Sequence, residues 1–212
     1  MEHDIAIDID THSLTLEEVL DRAKVDVTRF PAAGREDTSD HLEKAGLAVG
    51  SLLSNLLKKS DGVLLDNSWF RIFGVTDRAC GRSLYSWNQS SSWKESWGNE
   101  APGMLVFADD PFGNQFGINL GIDGTGNWKV FLGSRQSESW NSLDITFGQW
   151  LEMVLEESSS KFYEGLPLKV WKSIHQENRT PADKFIRARA DEGDLEWSLD
   201  TSCEVVAVSE FV

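Results

Sequence analysis

The chain has 212 residues, 40% of them hydrophobic and 26% charged, with nine Trp and a formal net charge of −15. That length and composition describe a folded chain able to bury one good core, not a disordered one. They exclude a membrane helix, because no run approaches the roughly 18 uninterrupted apolar residues a span needs, and they argue against nucleic acid, whose phosphates demand clustered Lys and Arg.

The charge is uneven: residues 1–40 carry 11 acidic and 4 basic side chains, residues 41–182 carry 16 and 13, and residues 183–212 carry 8 and 3. We therefore expect an acidic N-terminal extension over 1–40, an α+β body over 41–182 and an acidic C-terminal segment over 183–212 packed on the same body. The acidic ends have two readings: solubility, or steering of a basic protein partner. The opening MEHDIAIDID is acidic where a secretory signal is basic and then apolar, so the cytoplasm is the expected compartment. Cys80 and Cys203 stand far apart with no Cys/His spacing, which predicts reduced thiols and neither a disulfide framework nor a zinc site.

In chain order, Thr15 and Glu18 have capping-box spacing, with Leu16, Val19, Leu20 and Ala23 on one face of a short helix. VTRFPAAGREDTSD is rich in turn formers and reads as a loop. Asp40 and Glu43 offer a second cap, and Leu42, Ala45, Val49, Leu52, Leu53 and Leu56 predict one long helix ending at Lys58, Lys59 and Ser60-Asp61-Gly62. Within it Gly46 and Gly50 each weaken the helix by about 1 kcal/mol relative to Ala, unless they admit a neighbouring element.

From Gly62 the pattern changes to that of strands: GVLLD, WFRIFG and SLYSW are short β-branched and aromatic runs between turn residues. MLVFA has the length of a buried strand, and Phe116, Ile118 and Leu120 alternate on the return. Between them, Asp110-Pro111-Phe112-Gly113 places Asp, Pro and Gly at the first, second and fourth positions of a type I turn. A second corner at Asp123-Gly124-Thr125-Gly126-Asn127 leads into WKVFL, where Trp128, Val130 and Leu132 alternate, completing a three-stranded meander.

After a polar stretch, Thr146 and Gln149 form another capping box ahead of Phe147, Trp150, Leu151, Val154 and Leu155. An amphipathic piece follows around Leu168, Trp171 and Ile174. Thr180-Pro181-Ala182-Asp183 has the order of a helix start, and CEVVAV reads as a last strand. Helix, antiparallel strands, then helices indicate an α+β fold.

Asp109, Asp110 and Asp123 are the candidates for metal or acid/base chemistry. The Asp123 corner lacks the ligand ladder of a calcium loop, with no Gly at its sixth position and no Glu at its twelfth. No GxSxG, GxGxxG or GxxxxGK[ST] occurs, and the four His lie in different segments. These residues predict no catalytic set and no cofactor. The aromatic surface remains: Trp93 and Trp97 lie in the polar loop SSSWKESWGNE, where they either fold back onto the sheet or serve as interface anchors.

GVLLDNSWFRIFG, RSLYSWN, GMLVFADDPFGNQFGINL, GNWKVFLG and TFGQWLEMVLE together resemble the SUKH superfamily, closest to a poorly characterised bacterial branch of it. The resemblance covers about Leu52 to His175 and leaves out both acidic ends. It implies an antiparallel meander packed with helices and a non-catalytic, protein-binding role. Most members known are immunity proteins that neutralise bacterial toxins by direct binding, and others are regulatory scaffolds. On that resemblance the expected partner is a basic toxin domain, with Trp93 and Trp97 as anchors and Asp109 and Asp110 as nearby polar contacts. The alternatives are a scaffold or, less favoured, a metal-dependent enzyme using Asp109, Asp110 and Asp123.

Overall fold

A computed structural model describes residues 16–32, 38–44, 46–47, 50–89, 103–121, 127–134, 139–157, 159–163, 168–178, 184–188 and 203–207. The frame is a seven-stranded antiparallel sheet in which every strand pairs with its sequence neighbour, β1 to β7 in order. The strands are β1 (Val27–Pro31), β2 (Ser60–Leu65), β3 (Phe70–Ile72), β4 (Met104–Asp109), β5 (Gln115–Asn119), β6 (Val130–Ser134) and β7 (Ser139–Ser142). A separate hairpin pairs β8 (Lys184–Ala188) with β9 (Cys203–Ala207). The protein is an α+β meander, as the residue pattern predicts.

Helix α1 (Leu16–Asp21) buries Leu16, Val19 and Leu20, the face its spacing predicts. Its Thr15 cap lies outside the described residues. The stretch read as a loop contains β1, whose Val27, Thr28 and Arg29 pair with Leu65, Leu64 and Val63. An edge strand ending in Pro has few apolar residues to advertise it, because only one side meets the sheet.

The long helix expected over residues 40–59 is two helices, α2 (Thr38–Lys44) and α3 (Leu52–Lys59). The break falls at two glycines with left-handed backbone, Gly46 at φ 81° and Gly50 at φ 90°. A Cβ on Gly46 would stand 2.9 Å from Leu120 Cδ1, so this glycine admits the end of β5. Gly50 has nothing within 4 Å, and its conformation alone explains it. Ser51 then caps α3 by accepting from the Ser54 amide at 3.2 Å.

SLYSW is helix α4 (Leu84–Gln89) and not a strand. Ser83 Oγ accepts from the Ser86 amide at 3.0 Å and Ser86 Oγ from the Ser83 amide at 2.9 Å, a reciprocal cap that favours helix over the extended run. The helix matters to the sheet. Strand β3 is short, and β4 carries a bulge between Val106 and Ala108. The Asn88 side chain accepts from the Val106 amide at 2.9 Å and donates to its carbonyl at 2.7 Å, replacing the missing ladder partner.

The Asp110 corner forms as expected: the Gly113 amide donates to the Asp110 carbonyl at 3.0 Å and the Phe112 amide to its carboxylate at 2.9 Å. The Asp123 corner lies outside the described residues. Trp128 departs from the expected alternation, standing ahead of β6 at φ 55° and 38% exposed while Val130 and Leu132 are buried. The polar stretch beyond holds β7, whose exposed edge hides it from hydrophobic patterning.

Helix α5 (Phe147–Leu155) has the full capping box of Thr146 and Gln149. Its Trp150 is fully buried against Phe70, Phe107 and Phe116, with ring centroids 5.7, 5.0 and 5.3 Å away. This joins α5 to β3, β4 and β5. Helix α6 (Leu168–Asn178) buries Trp171 and Ile174, and Trp171 stacks on Phe112 at 4.9 Å. The Thr180-Pro181 cap lies outside the described residues, and the helix it predicts gives way to β8, paired along its length with β9.

Candidate functional site

The adjacent carboxylates that stand out in the sequence lie at the C-terminal end of β4, and both are 0% exposed. Arg71 on β3 and Arg82 ahead of α4 converge on the first of them. Arg71 Nε donates to Asp109 Oδ1 at 2.7 Å, and Arg82 Nη2 donates to Asp109 Oδ2. The side chains of Arg71 and Arg82 are 0% and 2% exposed, so this is a buried Arg–Asp–Arg bridge. Arg82 also lies over the Phe73 ring, 5.0 Å from its centroid. Burial pulls the Arg82 guanidinium below its usual range, against the pull of Asp109.

Asp110 faces a different set of donors. Its Oδ1 accepts from the Phe112 and Asn114 amides at 2.9 and 3.0 Å, and its Oδ2 accepts from Asn114 Nδ2 at 2.7 Å and Tyr163 Oη at 3.0 Å. Tyr163 Oη in turn accepts from Trp69 Nε1 at 3.1 Å. Burial pushes the Asp110 carboxyl up to about 6 although these donors favour its ionised form. The same burial, with Asp110 alongside, pushes the Tyr163 hydroxyl well up.

The network ties distant parts of the chain together. Arg71 donates to the backbone carbonyls of Asp110 and Lys184, and the Ile186 amide donates to the Pro111 carbonyl at 2.7 Å. The β8–β9 hairpin is thereby clipped to the β4–β5 corner, with the Ile186 side chain buried. Chemically the arrangement is closed: both oxygens of each carboxylate are engaged by protein donors. Among the described residues no group of three or more His, Cys, Asp and Glu is placed to hold a metal ion.

These positions correct one expectation. Asp109 and Asp110 were expected as polar contacts for a partner, and the structure puts them in the interior as counter-ion and turn acceptor. The physical reason is the pair of arginines: a guanidinium in the core requires a carboxylate, and the end of a buried strand supplies it. Arg71 and Arg82 were missed because single arginines in FRIF and CGRS carry no spacing signal. An Arg amid an otherwise apolar strand, FRIF, was the available hint. Trp93, Trp97 and Asp123 lie outside the described residues.

A model of the family described as a protein of unknown function, DUF2625, matches residues 6–186. The chain belongs to the DUF2625 family. That match takes in the whole seven-stranded sheet and the buried network. The chain is similar to an uncharacterized protein of Haemophilus influenzae, 32% identical over 125 residues, covering 59% of this chain and 54% of that protein. It is also similar to the putative uncharacterized protein YbfG of Escherichia coli, 29% identical over 122 residues, covering 58% and 54%. The chain thus matches about half the length of these curated relatives.

Elsewhere on the surface, the large apolar side chains exposed among the described residues are Tyr85 on α4, 50% exposed, and Trp128, 38% exposed. No helix among the described residues is long and apolar enough to cross a membrane.

Proposed function

We propose that this DUF2625 chain is a non-catalytic protein-binding module of immunity type, which neutralises a basic bacterial toxin domain by direct binding. The observation that carries this reading is the disposition of charge. The buried network holds two Arg, both paired with Asp109, and the carboxyl of Asp110, whose formal charges cancel, so the net charge of −15 belongs to the rest of the chain. An acidic surface of that size accelerates association with a basic protein by about 10- to 1,000-fold through steering, most strongly at low salt.

The resemblance to the SUKH superfamily supports the immunity role, and the engagement of Asp109 and Asp110 by internal donors weighs against the metal-dependent alternative. A regulatory scaffold shares the fold and the acidity, and differs in having many weak partners in place of one tight one. Affinity capture of the tagged full chain from its native cells at moderate salt separates the two. One near-stoichiometric partner whose expression alone harms cells is the expected result. Several substoichiometric partners would overturn the immunity role, and an association rate that does not change from low to high salt would overturn steering.

A further inference from the structure

The turn from β2 to β3 contains three consecutive non-glycine residues in left-handed backbone: Asp66 at φ 51°, Asn67 at φ 55° and Ser68 at φ 68°. Isolated residues of this kind cost about 1 kcal/mol or more, so a run of three persists only where the surroundings over-determine it. They do so here. Lys172 on α6 pairs with the Asp66 carboxylate at 2.5 Å, and His175 Nε2 lies 3.0 Å from the Asn67 carbonyl. The Asp66 amide donates to the Asp26 carbonyl at 2.9 Å, and the Trp69 amide to the Asp66 carbonyl at 3.0 Å.

This pinned turn forms one wall of an open recess of about 410 Å³ lined by Asp26, Val27, Thr28, Leu64, Asn67 and Ser68. Four of those side chains are polar, and none of the four makes a hydrogen bond or ion pair within the described fold: the Asp26 carboxylate, the Thr28 and Ser68 hydroxyls and the Asn67 amide. They contrast with Asp66 and Lys172 next door, which satisfy each other. Leu64, opposite Thr28 in the β1–β2 register, adds an apolar side.

We propose that the recess between β1 and the β2–β3 turn receives an arginine side chain of a basic protein partner. The assignment rests on the protein-binding reading above. A guanidinium presents several N–H donors in a fixed plane; the Asp26 carboxylate accepts a bidentate pair, and the Thr28, Ser68 and Asn67 oxygens accept the rest. The aliphatic stem lies along Leu64, which shares its face of the sheet with Thr28. Lysine carries the charge without the planar fork and is the poorer fit. The anchored turn holds the acceptors in place before binding, which lowers the entropic cost of association.

The test uses the isotope-labelled full chain titrated, in separate NMR experiments, with blocked arginine amide, blocked lysine amide and blocked citrulline amide. Arginine is expected to give saturable shifts centred on the amides of Asp26, Thr28, Asn67 and Ser68, with weaker binding of lysine and none of the uncharged citrulline. Asp26→Asn is expected to weaken arginine binding about tenfold, the loss of one charge-assisted contact. Asp26 is exposed and its carboxylate bonds nothing among the described residues, so the variant is expected to keep the wild-type melting temperature. No saturable shift at these amides, an equal response to citrulline or to lysine, or unchanged binding in Asp26→Asn would each overturn the proposal. A captured partner that binds wild type and Asp26→Asn equally would also overturn the recess while leaving the protein-binding reading intact. Arginine binding with no protein partner captured would overturn that reading instead.

Discussion

Asp109→Asn tests whether the buried bridge holds the molecule together. The carboxylate accepts from Arg71 Nε at 2.7 Å and from Arg82 Nη2, with all three side chains at 2% exposure or less. Asn keeps one acceptor oxygen and loses the other together with the charge; the lost hydrogen bond to a charged group alone contributes about 1.5–3 kcal/mol. With the carboxylate charge gone and both guanidiniums left uncompensated, the penalty reaches about 3–5 kcal/mol, that of a broken buried ion pair. Taking about 4 kcal/mol, and about 2–4 °C per kcal/mol for a domain of this size, the melting temperature falls by roughly 8–16 °C. The assay is urea and thermal unfolding at pH 7, followed by tryptophan fluorescence and far-ultraviolet dichroism. In a double-mutant cycle with Arg82→Met, the pair is expected to be less destabilised than the sum of the singles by at least about 1 kcal/mol. A loss below about 1 kcal/mol for Asp109→Asn, or strict additivity with Arg82→Met, would refute the claim that the bridge is a coupled buried unit.

Two glycines separate backbone from side-chain collisions. A Cβ on Gly74 would stand 2.5 Å from the Asp61 backbone carbonyl, whereas one on Gly117 meets the flexible Met104 side chain at 2.7 and 2.8 Å. Gly74→Ala is therefore expected to lower the urea midpoint more than Gly117→Ala, and the reverse order would show the β2 contact to be pliable. The Asp110 carboxyl carbon is expected to titrate by NMR with a midpoint near pH 6, since burial pushes it up to about 6, and an ordinary carboxylate midpoint would contradict the described burial. With its folded value raised, Asp110 contributes stability that is complete below its unfolded pKa and is lost as the pH rises through about 6. His175 acts in the opposite sense: burial lowers its folded pKa, so its contribution is present above the unfolded value and is lost as the pH falls through the folded one. Mutating Asp110 to Asn is therefore expected to remove a downward slope of stability with pH, and a steeper slope in the variant would reverse the assignment. Finally, alanine at Trp93 and Trp97 is expected to weaken partner binding by about 2 kcal/mol; a melting temperature and a partner affinity both unchanged would remove the two from the interface.

Much of the local structure was legible in the residues. The Asp110-Pro111-Phe112-Gly113 corner, the Thr146–Gln149 capping box, the buried run of β4 and the apolar face of α5 each depend on side chains within a few positions of one another. Their bonds close inside the segment, so neighbours in sequence carry the information. The misreadings share the opposite property. β1 and β7 are polar because they lie at the sheet edges, β8 is extended because β9 pairs with it, and SLYSW is helical because Ser83 and Ser86 cap it more firmly than its aromatic pattern favours a strand.

By itself, the sequence determined the α+β class, the order of most elements, the turn that reverses β4 into β5, and a formal net charge of −15. Only the tertiary structure decided what the Asp pair is for. Asp109 meets Arg71 across 38 residues and Arg82 across 27, and Asp110 meets Tyr163 across 53, distances at which sequence spacing carries no geometry. Folding brings those charges into a medium where none can stand alone. That electrostatic requirement makes the two carboxylates internal counter-ions and acceptors, and leaves the exposed acids to meet the outside.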